Sequence, residues 1–371
     1  MKRVLIGVGT LVCIITALVL TAIISFQVSP GIQDRVFAAG ARNQLLSDPQ
    51  VQPDPDALQV LLCGTSSPLP IRGSAKACTM VIAGDEMFLV DIGPEASENL
   101  AVWRVPAPKV KAVFITHFHS DHIGELGEFN VQGWAQGREV PLEVYGPVGI
   151  EHVVAGFNQV YAYDSTYRNT HHARDRGILP FGASSMQANT ISLIQPGDTP
   201  TGRTAVVYEN GDLTVTAIET DHRPVVPALS YRFDYRGRSV VITGDTVFFE
   251  PLAKAAEGAD VLVSEAQASH LQDIVAAQAV AIGQETLGQV LLDTRDYHIT
   301  PVQAARLANE ADVRELVYTH IAPPLKLDLL RTPWLRGVNE ERPSGVRIGH
   351  DGLLITIPVD GSDIQFKTLE G

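Results

Sequence analysis

The sequence predicts an α/β fold behind an N-terminal apolar segment. Three observations point there: short apolar strands that end in His or Asp, helix-period segments between them, and an uncharged apolar run over residues 4–26. The 371 residues carry a formal net charge of -14. That is enough chain for one catalytic domain of about 300 residues with a sizeable core. So acidic a balance argues against a broad nucleic-acid surface, because binding a polyanion relies on clustered Lys and Arg.

Met1-Lys2-Arg3 precedes the apolar run, and Gln27 and Ser29 follow it. The run is long enough to cross a hydrocarbon core of about 30 Å, and longer than the roughly 7 to 15 residues of a cleaved leader's apolar core. Residues 1–26 therefore read as a signal-anchor with the basic end cytoplasmic and the rest of the chain outside. The alternative is a signal segment cleaved near Phe37-Ala38-Ala39. Residues 27–56, polar and holding Pro49, Pro53 and Pro55, show no sustained period and read as a tether to a domain over 57–371. Of three cysteines, Cys13 lies in the apolar run. Cys63 and Cys78 sit on strand-like segments and read as buried thiols, with one disulfide as the alternative.

Residues 110–116, Val-Lys-Ala-Val-Phe-Ile-Thr, read as a buried strand that runs into His117-Phe118-His119-Ser120-Asp121-His122. Three imidazoles and a carboxylate in one loop are the donors of a transition-metal site. In extended chain His117, His119 and Asp121 share a face while His122 turns elsewhere, so two metals can lie side by side. A helix over 123–134 follows, which puts the cluster on a strand-to-helix loop, the usual place for chemistry in open α/β sheets. Asp91, after the strand residues Phe88-Leu89-Val90, reads as a carboxylate that orients a metal-bound imidazole through its second nitrogen.

Residues 146–212 read less clearly: helical at first, then polar with aromatic residues and Gly and Pro punctuation, either an insertion that could act as a lid or an ordinary surface segment. His171 and His172, in a polar stretch, are left out of the ligand set. Further on, Asp245 follows the apolar strand 239–243 and a Gly, Glu265 ends the strand 261–265, and His320 follows the strand 316–319. Thr300, Pro301 and Gln303 form an N-cap, first helical residue and capping-box partner, which holds His298 at a helix entrance.

These elements recur in an order that resembles the metallo-β-lactamase superfamily, and within it the branch of ribonuclease Z and the zinc-dependent alkyl- and arylsulfatases. The resemblance rests on Cys63-Gly64-Thr65 with Pro68, Val90-Asp91-Ile92-Gly93, the His cluster, Asp221-His222-Arg223 before Leu229-Ser230-Tyr231-Arg232, Thr243-Gly244-Asp245-Thr246, and Tyr318-Thr319-His320. It implies a four-layer αββα sandwich. It further implies that His117, His119 and His222 bind one metal, that Asp121, His122 and His320 bind the other, and that Asp245 bridges them. Two Zn(2+) ions are the expected pair, with Mn or Fe as alternatives. By the same resemblance His298 serves the leaving oxygen and Glu265 orients it, while Asp121 helps position the nucleophile. Ile299, where the branch usually has Ser or Thr, and Ala322-Pro323, where it usually has Ser-Pro-Arg, are departures that weaken transfer of RNA processing.

A binuclear site of this kind lowers the pKa of a bound water from about 15.7 toward about 7 and so makes hydroxide available near neutral pH. The expected activity is hydrolysis of a small phosphodiester or sulfate ester outside the cytoplasm, with membrane contact through the N-terminal segment and no nucleic-acid partner. The alternatives are a lactonase or β-lactamase, a ribonuclease Z-type RNA endonuclease, and, from other classes, an iron redox protein or a noncatalytic metal-binding module. Oligomeric state is not legible.

Overall fold

The computed structural model describes residues 2–46, 48–172, 177–361 and 363–370, without the side chains of residues 2–10, 44 and 46. Met1, and the side chains of Lys2 and Arg3 that set the expected orientation, lie outside the described residues. The chain divides into two compact units, Met1–Pro49 and Gln50–Gly371.

The first unit is two helices, Lys2–Val28 and Pro30–Leu46. Its stretch Leu11–Val28, of mean hydropathy 2.5, is long and apolar enough to cross a membrane. The second helix departs from the expected tether. Pro30 occupies the first helical position, and the following residues are rich in Ala, Arg, Gln and Leu, all good helix formers. Pro49, Pro53 and Pro55 fall after this helix.

The second unit opens with the strands β1 (Ala57–Gly64), β2 (Cys78–Ala83), β3 (Glu86–Val90), β4 (Val110–Phe114), β5 (Leu142–Pro147) and β6 (Met186–Ile191). It continues with β7 (Thr204–Asn210), β8 (Leu213–Glu219), β9 (Leu229–Tyr235), β10 (Arg238–Ile242), β11 (Val261–Gln267), β12 (Glu315–Ala322) and β13 (Val346–Ile348). β14 (Leu353–Pro358) and β15 (Gln365–Thr368) return to the first sheet. That sheet runs β15-β14-β1-β2-β3-β4-β5-β6, and the second runs β13-β12-β11-β10-β9-β8-β7.

Period-2 alternation decides which face each side chain takes. Leu58, Val60 and Leu62 of β1 join Phe88, Phe114, Val215, Tyr231, Phe233 and Val263 in the layer between the sheets. Leu61 and Cys63 point the other way, into an outer core with Leu100, Phe129, Ile150 and Val154 from helices. Val241, Leu262 and Leu316 pack outward against Leu252, Ala304, Leu307 and Trp334. Full burial of each such aromatic or branched side chain contributes roughly 1.5–3 kcal/mol. The result is the helix-sheet-sheet-helix stack expected from the sequence.

Two features differ from expectation. Cys63 and Cys78 are disulfide-bonded, with Cα atoms 5.0 Å apart, because antiparallel pairing of β1 and β2 sets Gly64 opposite Cys78. Much of residues 146–212 is scaffold: β6 and β7 each form one edge of a sheet, and Ile150 and Val154 are core residues. Of this span, residues 173–176 lie outside the described residues.

Candidate metal centre

Strand direction gathers the site. β3 and β4 are parallel, as are β10, β11 and β12, and β8 runs with them because it pairs antiparallel to β9, which pairs antiparallel to β10. The carboxyl ends of these strands lead to Asp91, His117, His222, Asp245, Glu265 and His320. The edge is tied across the sheets by Leu229 N–H donating to Thr116 C=O at 3.0 Å.

Asp91 adopts a left-handed φ of 60°, a conformation Asp tolerates better than most residues. Its carboxylate accepts from Thr116 N–H and Oγ1, both at 2.8 Å, and pairs with His122 Nδ1 at 2.7 Å. His119 precedes a short helix, Ser120–Ile123, which turns Asp121 and His122 inward. His222 Nδ1 lies 2.8 Å from Tyr297 C=O. Each of these contacts fixes one imidazole nitrogen and leaves the other for the cluster.

Gly244 brings Asp245 in. A Cβ there would lie 2.8 Å from Thr116 Cβ and Cγ2, and its φ is 58°, so both space and conformation require glycine. His320 arrives differently from expectation. β12 continues past it to Ala322, and the register with β11 passes from Glu265 opposite Thr319 to Ala266 opposite Ile321. His320 is thus the extra residue of a bulge, at φ 43°, and the bulge turns its imidazole into the site.

The donor atoms form three groups, each within 4.8 Å of one another: His117, His119, His222 and Asp245; Asp121, His122 and His320; and Asp245, Glu265, His298 and His320. Asp245 stands between the first two. Its Oδ2 is 3.8 Å from both His117 Nε2 and His222 Nε2, while its Oδ1 is 3.5 Å from His122 Nε2 and 3.6 Å from His320 Nδ1. Asp121 Oδ2 lies 3.0 Å from His320 Nε2 and 3.6 Å from His122 Nε2. His119, half-buried, brings its Nδ1 to 2.9 Å from His117 Nε2.

Among the described residues, His122 Nε2, His222 Nε2, His320 Nδ1 and Asp245 Oδ1 are buried without a hydrogen-bond partner. Orphaned donors of this kind, converging from separate strands, fit a pair of divalent cations. Charge agrees. Burial keeps His117 neutral and lowers His222 to about 4. Burial opposes ionisation of Asp121, but His122 and His320 outweigh it and lower the carboxyl to about 2. Burial also disfavours charge on His122 and His320, yet Asp245 and its fellow carboxylates raise both above the usual range. A pocket that draws protons onto imidazoles in this way has the excess negative charge that cations neutralise on binding.

Beside this cluster His298 Nδ1 meets Glu265 Oε1 at 2.9 Å and lies 3.9 Å from Asp245 Oδ2. Burial works against its charge, but Glu265 and then Asp245 prevail and raise it to about 9. The Thr300 and Gln303 capping box forms as expected. Ile299 is a core residue whose N–H donates to Glu265 Oε1 at 3.3 Å, so backbone supplies a contact to that carboxylate. Sequence reasoning did not single out Thr116, the Tyr297 carbonyl, or Thr246 N–H, which donates to Glu265 Oε1 at 3.0 Å. Two of these are backbone groups with no sequence signal.

A model of the β-lactamase superfamily domain matches residues 87–321, from β3 through the strand that carries His320. The chain belongs to the metallo-β-lactamase superfamily. This superfamily member is a metal-dependent hydrolase. The ribonuclease Z of Mycobacterium avium (strain 104) is 36% identical to it over 271 residues, 72% of this chain and 87% of that one. A ribonuclease Z of Mycobacterium bovis is 33% identical over the same shares. Among solved structures, human tRNase Z, short form, shares the fold with a TM-score of 0.58 at 21% identity, covering 81% of this chain and 99% of that one. The metallo-β-lactamase fold protein YhfI of Bacillus subtilis does so with a TM-score of 0.57 at 24% identity, covering 81% and 100%.

Proposed function

We propose that this hydrolase is a binuclear metal-dependent phosphodiesterase. The observation that carries the proposal is Asp245, whose two oxygens face two separate sets of ligand atoms. His117, His119 and His222 would hold one ion, Asp121, His122 and His320 the other, and Asp245 would bridge them. When bound, the metals supply Lewis acidity and an activated water. Asp91 fixes His122, and the Tyr297 carbonyl fixes His222. Asp121 helps position the nucleophile. Glu265 holds His298 protonated, with Nε2 free to donate a proton to a leaving oxygen.

For the substrate, the relatives named ribonuclease Z support RNA. Three features of this chain support a smaller phosphodiester or sulfate ester outside the cytoplasm: the Cys63–Cys78 disulfide, the membrane-length helix and the acidic net charge of -14. The apolar run with Lys2 and Arg3 before it supports an anchored, outward-facing enzyme.

The test uses the zinc-reconstituted full chain in detergent, with bis-(p-nitrophenyl) phosphate, an aryl sulfate and a precursor tRNA as substrates and Asp245→Ala as control. Zinc-dependent diester cleavage lost in the control is expected. Cleavage confined to the tRNA assigns the ribonuclease Z reading, and cleavage of the sulfate alone defeats the phosphodiesterase reading.

A further inference from the structure

A cavity of about 1170 Å³ is walled in part by neighbours of two candidate ligands, and more cationic than anionic side chains line it. Ile321, next in chain to His320, forms part of its wall, and Ser66 is bridged to Ile321 there. On the other side, a Cβ at Gly93 would lie 2.0 Å from Asp121 C=O and 2.6 Å from Lys76 Cβ, so Lys76 and the Asp121 backbone flank one glycine. Ile321 and Lys76 thus link the cavity wall to the segments that carry His320 and Asp121.

In a chain of net charge -14, this cavity is lined by Arg72, Lys76, Lys326 and Arg331. Lys76 Nζ is held by three neutral oxygens, Ser66 Oγ at 3.1 Å and the carbonyls of Ser67 and Leu69, both at 2.8 Å. Arg72 and Lys326 are exposed and have no hydrogen bond or ion pair among the described residues. Among the described residues, Arg331 pairs only with the exposed Asp328. Two carboxylates line the same space. Asp351 is committed to the loop beneath, accepting from Thr65, Ser74, Ala75 N–H and Asn99. Glu95 is the other. Pro68, Pro70, Ile71 and Leu325 add apolar surface.

Unpaired cations at the rim of a roomy, partly apolar cavity beside a metal site suit a ligand with a second negative group. Resting on the phosphodiesterase reading, we propose that the cavity is a subsite for a second phosphate, so that the substrate is an ester with another phosphate beyond the scissile one, and Arg72 and Lys326 contact that group. A nucleotide with a terminal phosphate and an oligonucleotide share this chemistry.

The test separates binding from turnover. Adenosine 3′,5′-bisphosphate is titrated calorimetrically into the chelator-treated full chain in detergent, comparing wild type with R72A/K326A and, as a charge control on the helix Ala162–His172, R168A. Binding weakened at least tenfold in R72A/K326A but not in R168A is expected, and equal binding in all three overturns the subsite. With zinc restored, KM for thymidine 5′-(p-nitrophenyl phosphate) bearing a 3′-phosphate should rise at least tenfold more in R72A/K326A than KM for the analogue without it. Equal rises refute the selectivity. Loss of bisphosphate binding in a protein that cleaves no phosphodiester would defeat the proposed reaction and support the subsite. A trinucleotide in place of the bisphosphate tells the two sources apart: binding at least tenfold tighter, and equally lost in R72A/K326A, assigns the subsite to a polynucleotide, whereas equal binding of both assigns it to a single phosphate group.

Discussion

Glu265 lies wholly inside the molecule and holds His298 Nδ1 at 2.9 Å, so that one buried carboxylate sets the charge of the imidazole next to the ligand cluster. Glu265→Gln removes the main force that raises His298 to about 9. The His298 pKa should fall by about one to three units, the usual effect of one close opposite charge. NMR titration of the chelator-treated protein reads this directly. In the zinc enzyme the alkaline limb of the rate profile should move to lower pH, since the protonated imidazole is lost earlier as pH rises. An unmoved His298 titration would remove Glu265 from this role.

Asp91→Ala frees His122 Nδ1 and leaves Thr116 N–H without its acceptor. Zinc affinity should drop about 10- to 100-fold, the usual cost of losing a carboxylate that orients a ligand imidazole. Competition with a chromophoric chelator measures it, and unchanged affinity would mean that Thr116 alone orients His122.

Glu219, fully buried, supplies a pH dependence from outside the candidate ligand set. Burial opposes its ionisation, but the Arg203 guanidinium at 2.6 Å, backbone N–H groups and Thr201 outweigh that and hold the carboxyl below its usual range. A depressed folded-state pKa contributes stability that is present above the unfolded value of about 4.3 and lost as pH falls through the folded one. Glu219→Gln should therefore flatten the acid limb of the stability curve. An acid limb of unchanged slope in denaturant titrations would count against it.

The Cys63–Cys78 disulfide closes a loop with a sequence separation of 15 residues that carries Ser66, Ser74 and Lys76 to the cavity wall. Replacing both cysteines with Ser should cost about 3 kcal/mol by loop-closure entropy. Chemical denaturation of the double variant and of wild type with and without reductant measures the loss. Equal stabilities would show that β1 and β2 pairing alone holds the loop.

The candidate ligands stand out in the sequence because His or Asp at the end of an apolar strand advertises chemistry: His117 follows β4 of one sheet and Asp245 follows β10 of the other. The layer architecture came with the resemblance, since local pattern marks strands without saying which ones pair. Pairing also explains what was missed. The bulge at His320 exists only in register with β11, and Cys63 meets Cys78 only once β1 and β2 are antiparallel. The helix Pro30–Leu46 hides in sequence as a tether because the prolines at 49, 53 and 55 lie just beyond it. The cationic cavity draws Arg72 and Lys326 from segments about 250 residues apart, which no local reading joins.

Elemental analysis of the zinc-reconstituted full chain, beside Asp245→Ala, reads whether Asp245 holds two metals at once. Two zinc ions per wild-type chain, one or none in the variant, and loss of bis-(p-nitrophenyl) phosphate turnover are expected. Two ions retained in Asp245→Ala with normal turnover would contradict the bridging role.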